Sequence, residues 1–335
     1  MKKIRIAQVG TNSMTHGAQT LDSILKHDDL YEFVGIAEPV GEWKSNLDTP
    51  RYRAVPQYTV EELLRMDGLD AVAIETNEEL STQYAQPFAD RGVAVHLEKP
   101  GSPDHAAFVR LAETLRKQGL PLHLGYMYRY NPLVERAFRM IEEGQLGEII
   151  SVEAQMNCLH TAANRQWMKR FPGGMMFFLG CHLVDLIYRI QGLPEEVIPM
   201  SMPSGVGGTD SDDFGFAVLK YKKGVSFIKT TAVEVNGYAR RQLVINGTEG
   251  TIEIKPLEAF AGGDLLTASG AYTPAEKAVS WADHAERRTT EPFNRYDAMM
   301  EDFASLVRGD HENRWNYDCE IEVHRLLMRC CGAES

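Results

Sequence analysis

The tripeptide Glu98-Lys99-Pro100 follows directly on Val93-Ala94-Val95-His96-Leu97. That mostly apolar run reads as a short buried strand of a parallel sheet. Ligands of open α/β sheets bind beyond the carboxyl ends of the strands, so Lys99 stands where a bound molecule can be reached. An ammonium there can hold a hydroxyl or carbonyl oxygen by charge and hydrogen bond, and burial tunes its proton affinity. Taken alone, the same residues also describe a strand end capped by a solvated Glu98–Lys99 pair. A second chemical set lies in Met175–Ile190, a stretch apolar enough for a helix buried on most sides. Its polar exceptions, His182, Asp185 and Arg189, are spaced three and four apart on one face, with Phe178 one turn earlier. A histidine there suits proton transfer near neutral pH. Gly173-Gly174 would let the helix start approach a ligand closely. The plainer alternative is a solvent-facing stripe with an Asp185–Arg189 ion pair.

The elements that must position Lys99 come first in the chain. Strands are expected at Ile4–Val9, Phe33–Ala37, Ala71–Glu75, Val93–Leu97 and Leu122–Gly125. Helical stretches fall between them at Ala18–Leu30, Thr59–Met66, Leu80–Arg91 and His105–Gln118. This alternation predicts a parallel sheet with helices on both faces. After the first strand, Gly10-Thr11-Asn12-Ser13-Met14-Thr15 keeps one glycine of a dinucleotide-binding turn; Asn12 tolerates left-handed backbone, and Thr15 permits close helix packing. Glu38 ends the second strand, where a carboxylate accepts from ribose hydroxyls and repels a 2′-phosphate. The loop and Glu38 together predict NAD as cofactor. His96 and His123 read as strand residues satisfied within the fold.

Pro132 opens a helix running to about Glu143, and the pattern then changes. Ile149–Asn157, Phe214–Tyr221, Val225–Thr231, Gln242–Ile245 and Thr251–Ile254 read as strands, several joined by tight turns. The prediction is an α/β Rossmann domain (residues 1–125, NAD-binding) followed by an α+β domain with an open, mainly antiparallel sheet (126–335, substrate-binding). Ser204–Asp213 reads as a mobile loop, Lys255–Thr290 shows no clear period, and Tyr296–Arg308 and Cys319–Cys330 read as closing helices. The 335 residues carry 35 basic and 47 acidic side chains, a net charge of −12. That charge argues against nucleic acid or an anionic membrane surface as a partner. No apolar run approaches membrane-spanning length. The five cysteines form no C-x-x-C pair or metal-ligand spacing, so no metal and a reducing cytoplasm are expected.

Several of these segments together resemble the Gfo/Idh/MocA family of oxidoreductases. They are Glu98-Lys99-Pro100, Arg129-Tyr130-Asn131-Pro132, Gly144–Ile149, Trp167 ahead of Gly173-Gly174, Gly180–Asp185 and Asn246–Thr251. The resemblance spans nearly the whole chain. It implies hydride transfer at a secondary alcohol carbon of a sugar, glycoside or cyclitol, with Lys99 and His182 as the catalytic groups. It also implies that Thr76 and Asn77, in place of the family's Thr-Pro-Asn stretch, and Glu98 join Gly10, Thr11, Asn12, Ser13, Met14, Glu38 and Lys99 in holding the cofactor. Tyr126, Arg129, His160, Arg165, Trp167, Phe178 and Asp185 are the implied substrate contacts, and the open sheet face implies a homo-oligomer. The chain departs from the family at Phe178, where an aspartate is usual, and at Ser81, where a histidine is usual. Two alternatives remain at this stage: an NAD-dependent glycosidase working by transient oxidation and elimination, and a non-catalytic dinucleotide-binding sensor.

Overall fold

The computed structural model describes residues 2–278 and 281–333. They form two compact units. One runs to Tyr126 and takes in Tyr296–Ile321; the other holds Met127–Arg295 and the residues from Glu322 onward. The first unit is built on strands β1 (Ile4–Val9), β2 (Tyr31–Ala37), β3 (Ala71–Ile74), β4 (Ala94–Leu97) and β5 (Leu122–Leu124). Between them run α1 (Gly17–Lys26), α2 (Pro50–Arg53), α3 (Val60–Arg65), α4 (Glu78–Asp90) and α5 (His105–Gln118). The sheet is parallel throughout, in the order β2-β1-β3-β4-β5. β3 and β4 are buried at every position, which is why their sequences are apolar without alternation. Register places His96 beside His123 and Leu97 beside both Ile74 and Leu124. Local chemistry fixes the helix ends: a Thr59–Glu62 capping box starts α3, and Asp104 accepts from Ala107 to start α5.

In the second unit Asn131 caps α6 (Pro132–Glu142), with Pro132 in the first turn. There follow β6 (Ile149–Asn157), α7 (Ala162–Trp167), a π-helical turn at Met176–Gly180, and α8 (Cys181–Gln191). The remaining strands are β7 (Glu196–Pro199), β8 (Phe214–Lys220), β9 (Val225–Thr231), β10 (Gln242–Gly247), β11 (Gly250–Ile254), β12 (Ala259–Gly262), β13 (Leu265–Thr267), β14 (Ser269–Pro274) and β15 (Glu286–Thr289). With β6, seven of them form one eight-stranded sheet, β15-β14-β11-β10-β6-β9-β8-β7, antiparallel except for β6 beside β9. Along β6, Val152, Ala154 and Met156 are fully buried while Glu153 and Gln155 are half-buried. One sheet face is therefore covered and the other is open.

Three sequence expectations change. Lys255–Thr290, without a visible period, holds β12 to β15. β15 is exposed throughout and reads Glu-Arg-Arg-Thr, so no buried face marks it as a strand. The Ser204–Asp213 loop is fastened by Asp213, which accepts from the Ser204 amide at 2.7 Å and its hydroxyl at 2.8 Å. The third concerns α9 (Asp297–Arg308), expected in the second domain but packed within the first unit. Its stripe Met299, Met300, Phe303, Ala304 is buried there. Tyr31 donates to the Met300 carbonyl at 2.6 Å, Arg308 to Leu30 O at 3.2 Å, and Asp297 pairs with Lys26. Among the described residues no helix is long and apolar enough to cross a membrane.

Gly173 and Gly174 sit at φ of 61° and 48°. A Cβ on Gly174 would collide with the Asp212 carbonyl, and one on Gly173 with the Cys331 backbone. The close approach these glycines permit is thus to the chain's own backbone, where the sequence suggested a ligand. Gly174→Ala is expected to lower stability by about 2 kcal/mol. Thermal unfolding followed by circular dichroism checks it; an unchanged midpoint would contradict the steric account.

Candidate active site

One end of the first unit's sheet is shaped by the turn after β1. Gly10 has φ 103°, and a Cβ there would collide with the backbone of Glu75 and Thr76. Only glycine lets the turn cross so close to the end of β3. Buried Gln8 holds this turn to the start of α1, donating to Gly10 O at 2.9 Å and Gly17 O at 3.0 Å. Gly17, and not Thr15, supplies the close helix–sheet approach: a Cβ there would meet Glu75 Cβ at 3.0 Å. Asn12 accepts from the Met14 amide at 2.8 Å, while its own buried Nδ2 has no hydrogen-bond partner. Thr11, Asn12 and Ser13 line a groove of about 350 Å³ with Asn46, Arg51 and Tyr52. Glu38 closes one side of the turn, accepting from the Thr11 amide at 2.5 Å, the Thr11 hydroxyl at 2.6 Å and the Val40 amide at 2.7 Å. Burial raises its proton affinity, and these three donors oppose the rise. Asn77 accepts from the Trp43 indole at 2.5 Å, and Thr76 is fully buried beside it. A glycine-forced turn, an orphaned buried amide nitrogen and an acid at the end of β2 fit a dinucleotide.

Beyond β4 the Glu98–Lys99 pair is buried, which excludes the solvated reading. Lys99 is 0% exposed and its Nζ lies 3.5 Å from Glu98 Oε1. His16 Nδ1 lies 3.1 Å from the same oxygen. Burial alone would raise Glu98, but His16 and Lys99 outweigh it and hold the carboxyl below its ordinary range. Two further acids were not foreseen. Glu75, just past β3, and Glu78, at the start of α4, are both 0% exposed. None of their four carboxyl oxygens has a partner within ordinary hydrogen-bond geometry. Burial, then the charge of Glu98, pushes Glu75 well above the ordinary range, against the nearby Thr20 hydroxyl and Lys99. Burial likewise raises Glu78 to about 8, again against Lys99. Sequence signalled only that acids stood at strand and helix ends, positions normally wet. Tyr126 follows β5 and is also buried.

In the second unit His182 and Asp185 are each 1% exposed, so the stripe on α8 is not solvent-facing. The Tyr128 ring meets His182 edge-on, centroids 5.0 Å apart. Tyr128 donates to Glu258 at 2.7 Å and accepts from Arg241 at 2.9 Å; Arg241 and Arg295 both pair with Glu258. That fully hydrogen-bonded set fixes the ring against which the imidazole rests. Asp185 does form the ion pair with Arg189, at 2.9 Å, and Arg129 adds a fork onto the same carboxylate at 2.8–3.2 Å. Arg165 is likewise held, 3.0 Å from Asp213 and 2.6 Å from the carbonyls of His160 and Val206. Arg129 and Asp185 thus answer each other's charge within the protein, and Arg165 answers that of Asp213. Burial, then the charges of Arg241 and Arg165, depresses the proton affinity of His160. Phe178 lies in the π-helical turn and packs on Trp167 and Phe171 at 5.6 and 6.3 Å between centroids. Among the described residues no group of three or more His, Cys, Asp or Glu is placed to hold a metal ion.

Residues 4–126 match the model of an oxidoreductase family with an NAD-binding Rossmann fold, and residues 134–253 match the GFO/IDH/MocA C-terminal domain. D-xylose 1-dehydrogenase (NADP(+)) 2 of Haloferax volcanii is 27% identical over 273 residues, 80% of this chain and 78% of that protein. Inositol 2-dehydrogenase of Corynebacterium glutamicum is 26% identical over 152 residues, 44% of each chain. The crystal structure of a 3-ketoreductase from Actinomadura kijaniata, in complex with NADP and TDP-benzene, shares the fold. Its TM-score is 0.79 at 18% identity, over 97% of this chain and 96% of that one.

The buried acids make stability depend on pH in a stated direction. An acid raised in the folded state adds stability that is complete below its ordinary value and lost as pH climbs toward the raised one. For Glu78 that window runs from 4.5 to about 8. The protein is expected to lose thermal stability across it, and Glu78→Gln to flatten the loss. Melting temperatures of both proteins through the window check this. A wild-type profile that rises with pH through it would contradict the assignment.

Proposed function

We propose a definite chemistry for this chain, which belongs to the Gfo/Idh/MocA family of NAD(P)-dependent oxidoreductases. It passes hydride at a secondary hydroxyl, or the matching ketone, of a sugar, glycoside or cyclitol, with NAD as the dinucleotide. The observation that carries this reading is Lys99, fully buried beside Glu98 at the carboxyl end of β4. Keeping a charged group out of water costs several kcal/mol even when it is paired, and groups held in such surroundings cluster at functional sites. NAD, when bound, supplies the hydride acceptor. The chain's own residues do the rest. Lys99 holds the substrate oxygen and the charge that develops on it. His182 takes the hydroxyl proton, its ring set by Tyr128. Gly10, Thr11, Asn12, Ser13 and Met14 carry the dinucleotide's phosphates, with Thr76, Asn77 and Glu98 around them. Tyr126, Arg129, His160, Arg165, Trp167, Phe178 and Asp185 shape the substrate's surroundings. Phe178 and Trp167 offer an apolar wall suited to a substrate that carries an aglycone. Free cysteines at every described position suit a cytoplasmic setting. The open sheet face, with Phe216 stacked on Phe227 at 5.6 Å, is where we place self-association.

Glu38 supports NAD over NADP. Its carboxylate occupies the end of β2, and a 2′-phosphate there would face it across a partly dry groove. Arg51, which lines the same groove, is already forked onto Asp22 at 2.8 and 2.9 Å. NAD is expected to bind about tenfold or more tightly than NADP, and Glu38→Ser to narrow the gap. Protein fluorescence titration with each dinucleotide measures this; equal affinities in the wild type would contradict it.

His182→Ala is expected to lower turnover roughly a hundredfold or more and to leave the dissociation constant of NAD unchanged. A panel of free sugars, cyclitols and aryl glycosides, followed by nicotinamide absorbance, supplies the assay. Hydride transfer at the wild-type rate in that variant would remove His182 from the proposed mechanism.

A further inference from the structure

His96 and His123 face each other across β4 and β5, with Nδ1 to Nδ1 at 2.7 Å and both rings buried. At that distance one Nδ1 carries a hydrogen and the other accepts it. Burial lowers His96 to about 4 against the charge of Glu98, so its ring is neutral at physiological pH. The outer nitrogens of the pair point at acids. His96 Nε2 lies 3.7 Å from Glu75 Oε1, and neither atom has a hydrogen-bond partner. His123 Nε2 lies 3.7 Å from Asp302 Oδ2. Asp302 in turn stands 3.2 Å from His311 Nε2, and His311 is 45% exposed. Phe303 packs on both imidazoles, centroids at 5.7 and 5.2 Å, keeping water from the pair.

We propose that Glu75, His96, His123 and Asp302 form a buried proton path, through which Glu75 exchanges its proton with solvent when charge changes at the Lys99 end of the sheet. Its purpose, though not its geometry, rests on the function proposed above. The outward stroke conserves protons. The Glu75 O–H breaks as its proton joins His96 Nε2, and His96 Nδ1–H passes to His123 Nδ1. His123 Nε2–H then passes to Asp302, which releases a proton to water or His311. Glu75 gains one negative charge, both rings stay neutral, and the opposite stroke restores the starting tautomers. Each 3.7 Å gap exceeds a hydrogen bond and closes by a shift of less than about 1 Å. Glu75 faces Glu98, Glu78 and Lys99, all buried. A positive charge arriving beyond β3 and β4 therefore favours ionised Glu75, and its loss favours the acid.

Binding of NAD, whose nicotinamide is cationic, is then expected to release a proton that binding of NADH does not. Calorimetry in buffers of different ionisation enthalpy counts it, and stopped-flow with a pH indicator times it. Glu75→Gln should abolish the release. His96→Gln and His123→Gln should slow it by about tenfold or more while leaving the NAD dissociation constant alone. Asp302→Asn, at the partly exposed end, gives the same test should a core variant fail to fold. Equal proton release in Glu75→Gln, or an unchanged rate in every folded path variant, would overturn the path. A protein that binds neither dinucleotide would overturn the proposed function instead. The path would then be judged by nitrogen-15 spectra of the two imidazoles alone. Tautomers that switch together as Glu75 ionises support it, and rings frozen in one tautomer across the same pH range overturn it.

Discussion

The structure depends on a balance of charge that water does not help to settle. Glu75, Glu78, Glu98 and Lys99 are all buried in the first unit, at the ends of β3 and β4 and the start of α4. One lysine cannot neutralise three carboxylates. Unpaired ionised groups in such surroundings cost several kcal/mol each, so the acids divide their roles. Glu98, held by His16 and Lys99, is favoured as the ion; burial pushes Glu75 and Glu78 towards the protonated form. The β1 turn must pass close to this cluster, and Gly10 and Gly17 are the residues that allow it. The tight turn and the acid cluster thus share one buried end of the sheet.

The second unit solves its own charge problem differently. The buried carboxylates Asp185 and Asp213 and the nearly buried Glu258 are each met by arginine. Breaking one such pair leaves an uncompensated buried charge, typically about 3–5 kcal/mol. These pairs position rather than react. They hold Tyr128 against His182 and the Ser204–Asp213 loop against α7, while the imidazole rests among fixed groups.

The parallel sheet, the turn after β1 and the lysine after β4 were legible because fully buried strands leave unbroken apolar runs and their ends leave charges. The open mixed sheet was half legible. β6, β8, β9, β10 and β11 bury alternate residues and announce themselves, whereas β7 and β15 are edge strands with exposed side chains. α9 was recognised as a helix, but its partner could not be read, since an apolar stripe does not name the surface it covers. The π-helical turn before α8 was invisible for another reason: an extra residue in one turn changes phase without changing composition. Glu75, Glu78 and the facing histidines carried no signal beyond their types. Their meaning comes from register, which sets His96 beside His123, and from burial, which no window of sequence reports for an acid at a strand end.

The central claim is that acids at this sheet end stay protonated at neutral pH while Glu98 beside them is ionised. Infrared difference spectroscopy of the protein at neutral pH, against Glu75→Gln and Glu78→Gln, tests it directly. The account requires a protonated carboxyl C=O band in the wild type that each substitution diminishes and the two together remove. A spectrum showing ionised carboxylate at both positions at neutral pH would contradict it.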